Sequence, residues 1–307
     1  MIILKADRRK ETIRQHYIPQ FILRNFTFNN NGELYYYSLK ENKIFKKKTR
    51  DIFMEYRLYN SETINPDDPT QIEKDFAKYE REIAHLIKEK ILDKHDIFLT
   101  TNEEASLRFF CALLGIRSKN ANDIFNNLDD EAKLMYSKYQ QDGKFDELWK
   151  RNLSVLAKSR SFDEIVNRND VDKPIKEFMQ KDCFGVYGRY FIFLERRGPI
   201  DFLIGDCYPV VISGFTDFDL SLDLISFYPI SPSLCIALVN SGAESAPCIA
   251  SLNKYLKKPW QNKDVLRYKV QKLYEKDILN INDGTIKNSN YGVAFKDKKR
   301  IEIGLKK

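Results

Sequence analysis

The chain has 307 residues, 43% of them apolar and 31% charged, so it is long enough to bury a sizeable core and too apolar for a disordered segment. Its formal net charge of +7 permits a polyanionic partner such as nucleic acid without requiring one. Five scattered cysteines with no CxxC spacing argue against a disulfide framework or a thiolate zinc site, and no run approaches the roughly 18 continuous apolar residues of a membrane span.

In chain order, Met1–Leu4 is followed at once by Lys5, Asp7 and Arg8, which does not fit a signal peptide; a cytoplasmic protein without membrane contact is expected. Pro19 can open a short helix because it lacks only an N–H that needs no intrahelical partner, and Ile22, Leu23 and Phe26 would then face the core. Glu33–Leu39 and Lys43–Lys48 read as strands about a Lys40–Asn42 turn, with a short strand at Leu58–Tyr59. Asp68, Pro69 and Gln71 have capping-box spacing ahead of the apolar face Ile72, Phe76, Tyr79, Ile83 and Leu86–Ile87. Thr100 with Glu103 marks a second helix start. Asn122–Gln140, Phe145–Leu156, Phe162–Val166 and Ile175–Lys181 continue a helical layer.

From Val186 the period shortens. Tyr190, Ile192 and Leu194 alternate along a strand that stops at Arg196–Pro199, and Asp201–Ile204, Val210–Ser213, Leu222–Phe227 and Leu234–Val239 follow too closely for crossover helices. Lys263–Ile278 reads as helix through Leu266, Val270, Leu273–Tyr274 and Ile278, and Tyr291–Phe295 with Lys299–Gly304 as a terminal hairpin. The expected architecture is α+β in one integrated domain over 1–307: a β-rich start (1–66), a helical middle (67–182), and a β-rich end with one late helix (183–307) whose sheet is antiparallel or mixed.

Two segments carry a resemblance. His16-Tyr17-Ile18-Pro19-Gln20-Phe21-Ile22-Leu23-Arg24-Asn25-Phe26 resembles the HxxPxFxLRxF start of a bacterial family of uncharacterised domains numbered 4238. Phe202–Val211 is similar to that family's later F(I/L)xSDxPV segment, and Pro229-Ile230-Ser231-Pro232 to its PLSP element. Gly205 stands where the family usually has serine. The resemblance spans most of the chain and implies a common fold; it brings no established activity.

His16 is the most interesting of three histidines. Beside Gln20 and Arg24, it fits an acid, base or ligand near neutral pH, with Arg24 as a fork for phosphate; it fits equally a buried hydrogen-bonding residue that locks the N-terminal segment. Asp206, between an apolar run and Pro209, is the best acidic candidate, or else an Asx turn. Glu195 precedes Arg196 and Arg197, and faintly resembles the Glu-x-Lys half of a metal nuclease core with arginine in place of lysine. No GxGxxG, GxxxxGK[ST] or GxSxG motif occurs. Basic clusters lie at Arg8–Lys10, Lys46–Arg50, Lys257–Lys258 and Lys296–Arg300.

Two classes of function follow. One is a metal-dependent phosphodiester hydrolase, a nuclease-like effector of defence or toxicity. In it Asp206 with Glu195 or Glu80 holds Mg²⁺ or Mn²⁺, His16 positions or deprotonates water, and Arg24 steadies a phosphate. The other is a non-catalytic binding or interaction protein in which the N-terminal motif is a structural clasp.

Overall fold

Side chains that alternate along a strand point to opposite faces, and the strand at residues 189–196 is apolar on both. Such a strand must be covered twice, and the whole molecule is organised around that requirement. The computed structural model describes residues 14–118, 145–183, 188–215 and 221–300.

The N-terminal segment forms β1 (Arg14–His16), α1 (Gln20–Asn25), β2 (Glu33–Ser38), β3 (Lys43–Lys48) and β4 (Met54–Tyr56). A helical run follows, with α2 (Gln71–Lys90), β5 (Asp96–Thr100), α3 (Thr101–Ile116), α4 (Phe145–Leu156), α5 (Asp163–Val166) and α6 (Lys173–Cys183). The remainder is β6 (Arg189–Arg196), β7 (Ile204–Gly205), β8 (Val210–Phe215), β9 (Ser221–Pro229), β10 (Leu234–Asn240), β11 (Trp260–Asn262), β12 (Val265–Lys269), β13 (Gln271–Leu273), α7 (Glu275–Asn288) and β14 (Gly292–Phe295). The expected Asn122–Gln140 helix lies outside the described residues.

The central sheet has the order β13-β6-β10-β9-β8, antiparallel except for the parallel pair β13–β6, so the expected mixed sheet is present. Phe191, Phe193, Ile236 and Leu238 on one face join the main core with α2 and α3. Tyr190, Ile192, Leu194, Ala237 and Val239 on the other face pack with Ile249, Tyr255, Ile278 and Ile281. A second sheet, β3-β2-β14-β7, brings the first strands of the chain against its last. A third sheet, β11-β12-β5, and the two-stranded β1–β4 pair complete an α+β domain.

Several local expectations need correction. The Leu58–Tyr59 strand is a turn, and the strand of that region is β4, which pairs with β1. Asp68 does not cap α2: its carboxylate accepts the N–H and hydroxyl of Thr70, and the helix starts at Gln71. Thr100 and Glu103 do form a reciprocal capping box at α3. The expected 263–278 helix is instead two strands of different sheets, β12 and β13, followed by α7, because Tyr268 continues a period of two through Leu266 and Val270. The strand expected at Asp201–Ile204 shrinks to Ile204–Gly205. Of the expected terminal hairpin, β14 lies between β2 and β7 and Lys298–Arg300 is a 3-10 turn, while residues 301–304 of the second strand lie outside the described residues.

Candidate functional site

The N-terminal motif is tied down residue by residue. Gln15 is wholly buried; its Oε1 accepts the Tyr59 N–H at 2.6 Å and its Nε2 donates to Asn60 Oδ1 at 2.5 Å. His16 Nε2 lies 3.2 Å from the Thr49 carbonyl and 2.6 Å from Gln20 Nε2, so its ring is enclosed by polar groups of the same segment. Burial drives the His16 pKa down to about 4; the Thr49 carbonyl opposes this shift, and the charges of Arg117 and Arg14 add to it. The imidazole is therefore neutral at physiological pH. Arg24 is exposed on α1, while the neighbouring Asn25 Nδ2 donates to the Ile230 carbonyl at 2.7 Å, joining the first motif to the Pro229–Pro232 element.

Asp206 is 4% exposed and follows β7. Its Oδ1 accepts the N–H groups of Tyr291 and Gly292 at 3.0 and 2.9 Å, and its Oδ2 accepts that of Asn290 at 3.0 Å. A carboxylate that takes three backbone donors splices the entry of β14 to β7. The expected Asx turn was local; the observed bonds span more than eighty residues. The Cys207 thiol sits 3.8 Å from Asp206 Oδ2. Burial, then the Asp206 charge, pushes the hydroxyls of Tyr17 and Tyr36 above the usual tyrosine range. Tyr17, then, and not His16, is the motif residue that senses Asp206. His16 and Asp206 share no hydrogen bond.

The acidic residues considered as metal ligands have other partners. Glu80 Oε1 accepts Arg117 Nη1 at 2.6 Å, and Glu195 lies 3.9 Å from Lys272 across the β6–β13 pair. Among the described residues no group of three or more His, Cys, Asp or Glu side chains is placed to hold a metal ion, so Asp206, Glu195 and Glu80 do not form one. Arg117, which follows α3, is the hub of a buried group. Its Nη2 donates to the His16 carbonyl at 2.6 Å, and its guanidinium lies 4.3 Å from the Phe76 ring centroid.

A cleft of about 630 Å³ opens beside the first motif. Asn25, Phe28, Arg196, Ser231, Ser233 and Lys296 are among its lining residues. The first motif reaches its wall through Asn25, and the Pro229–Pro232 element through Ser231 and Pro232. Arg196 is steadied there by Asp201, 3.3 Å from its Nε, and by donation from Nη1 to the Gly198 carbonyl. Phe28 stacks on Tyr35 with centroids 4.8 Å apart. Asn25, Phe28 and Ser233 carried no sequence signal as site residues, although Asn25 lies inside the motif.

These features define an α+β protein in which His16 and Asp206 are internal clasps and a cleft opens beside the first motif. The chain belongs to the family described as protein of unknown function (DUF4238), whose profile matches residues 14–299. No curated protein and no solved structure matches it. No helix among the described residues is long and apolar enough to cross a membrane.

Proposed function

We propose that this is a non-catalytic binding protein, in which His16 and Asp206 hold the fold together and the cleft beside the first motif receives a small polar ligand. One observation carries the reading: the buried Asp206 carboxylate spends both oxygens on three backbone N–H groups. A carboxylate committed in this way is a poor metal ligand, because ligation would compete with all three of these bonds. The neutral, enclosed His16 supports the same reading, since a general base needs open reach to the proton that it takes. In the cleft, Arg196 and Lys296 stand among Asp93, Asp201 and Asp297, and Ser231, Ser233 and Asn25 supply hydrogen-bonding groups.

The experiment is a comparison of wild type with D206N and H16Q for cleavage of single- and double-stranded DNA and RNA, with Mg²⁺ or Mn²⁺ present, alongside melting curves. The expected result is no cleavage by any of the three, with D206N melting well below wild type. Wild-type cleavage that both substitutions abolish, with melting unchanged, would establish the phosphodiester-hydrolase alternative instead.

A further inference from the structure

The three-stranded sheet buries one face and leaves the other open. Ile97, Leu99 and Tyr268 point into the core. On the opposite face the register places Trp260, Arg267 and Phe98 in one row, on β11, β12 and β5 in turn. Trp260 is 62% exposed and Phe98 51% exposed, although large aromatic rings lose more than most side chains by facing water. With strands about 4.8 Å apart, the two rings stand about 10 Å from each other, on either side of the arginine.

Arg267 is fixed rather than free. Asp96 Oδ1 accepts its Nε and Nη2 at 3.1 and 3.0 Å, and its guanidinium lies 5.7 Å from the Phe98 ring centroid. Lys269 follows on the same face of β12, and Lys257 and Lys263 flank β11 on its two sides, all three exposed. Asp96 is engaged by Arg267, which leaves Asp264 as the acid of the β11–β12 turn. The surface is thus a rigid β platform with two open rings and an excess of positive charge. Burying the rings against an apolar partner would leave those lysines without counter-charges. A partner with stackable rings on a polyanionic backbone satisfies both features at once.

We propose that this face binds single-stranded nucleic acid, with one base on Trp260, another on Phe98, and the intervening phosphates near Arg267 and Lys269. Duplex DNA fits poorly, because its bases are stacked on one another and their faces are closed to the rings. The face shares no lining residue with the cleft, so it stands or falls separately from the ligand proposed there.

The test is fluorescence anisotropy with a labelled oligothymidylate of about 15 nucleotides at low salt, for wild type, W260S, F98S and the double variant. Both side chains are exposed, so melting should not change. The expected result is binding by wild type, weakening of about tenfold for each ring removed, and weaker binding of a duplex of equal length. Quenching of tryptophan emission on binding should vanish in W260S, which retains only the buried Trp149. A wild type that fails to bind overturns the proposal. So does binding left intact in the double variant, which would mean charge alone at another surface. A wild-type dimer that W260S converts to monomer in sedimentation velocity, with no oligonucleotide bound, would make the face a self-association surface instead.

Discussion

Arg117, which follows α3, donates from Nη2 to the carbonyl oxygen of His16, 101 residues earlier, at 2.6 Å. The same guanidinium donates from Nη1 to Glu80 on α2 and packs on the ring of Phe76. One buried cation thereby ties the N-terminal strand to two helices of the middle layer. The tie holds His16 by its backbone, leaving the ring to Thr49 and Gln20.

Removal of this cation should be among the most damaging single changes in the protein. In R117A, Glu80 loses its partner and the His16 carbonyl loses a donor inside the core. A loss of about 3–5 kcal/mol is expected. R117K keeps the charge without the planar fork and should fall between wild type and R117A. Urea unfolding, followed by tryptophan fluorescence, measures both.

Acid should act on the fold through His16. Its pKa is about 4 in the folded chain, against 6.5 for a free histidine, so the unfolded chain takes up the proton first. The stabilisation from keeping this ring neutral is complete above about pH 6.5 and is lost as pH falls through 4. The whole excursion amounts to roughly 3 kcal/mol. Urea midpoints at pH 7, 5.5 and 4 should fall steeply for wild type, and H16Q should remove most of that slope.

Glu73 predicts a trend of the opposite sign. It is half-buried on α2, and its Oε2 is enclosed without a hydrogen-bond partner. Burial raises its pKa to about 8, with the Arg117 charge opposing that shift and Glu80 adding to it. Between about 4.5 and 8 the folded chain holds a proton that the unfolded chain releases, so this group's contribution to stability declines as pH rises through that window. E73Q keeps the shape of the protonated acid. It should flatten the decline and raise stability at pH 8 by on the order of 2 kcal/mol, allowing for solvent screening. An E73Q profile parallel to wild type between pH 5 and 8 would count against the protonated form.

The order of elements was legible because hydrophobic period is a local property. The helical face Ile72, Phe76, Tyr79 and Ile83 is buried as its spacing required, and the Thr100–Glu103 capping box formed within four residues. Reading failed where two periods coincided. Leu266 and Val270 fit a helix as well as a strand, and only Tyr268 and the left-handed turn at Lys263 separate the two. The site was less legible for a different reason. Asp206 is held by backbone N–H groups at residues 290–292, and every residue type but proline offers that donor. His16 and Asp206 stand out in the sequence, but nothing local distinguishes a residue that clasps from one that reacts. Arg117 likewise recognises a carbonyl, which leaves no mark in the sequence.

Gly205 supplies the last prediction. It stands where the family usually has serine, and a Cβ at this position would stand 2.2 Å from Ser289 Oγ, 3.0 Å from Thr285 Cγ2 and 3.3 Å from the Thr285 carbonyl. The Ser289 hydroxyl donates to that carbonyl at 2.7 Å, so it is pinned in the space that a side chain at 205 would fill. Glycine lets α7 lie directly on β7, beside the strand pairing that Asp206 secures. G205A should therefore cost about 1–3 kcal/mol through overpacking. Removing the obstructing hydroxyl should relieve part of that cost, so the double variant G205A/S289A is expected to be more stable than the sum of the single losses implies. Chemical denaturation of the four proteins gives the coupling energy. Strict additivity would mean that Thr285 and the backbone, rather than Ser289, set the limit at this contact.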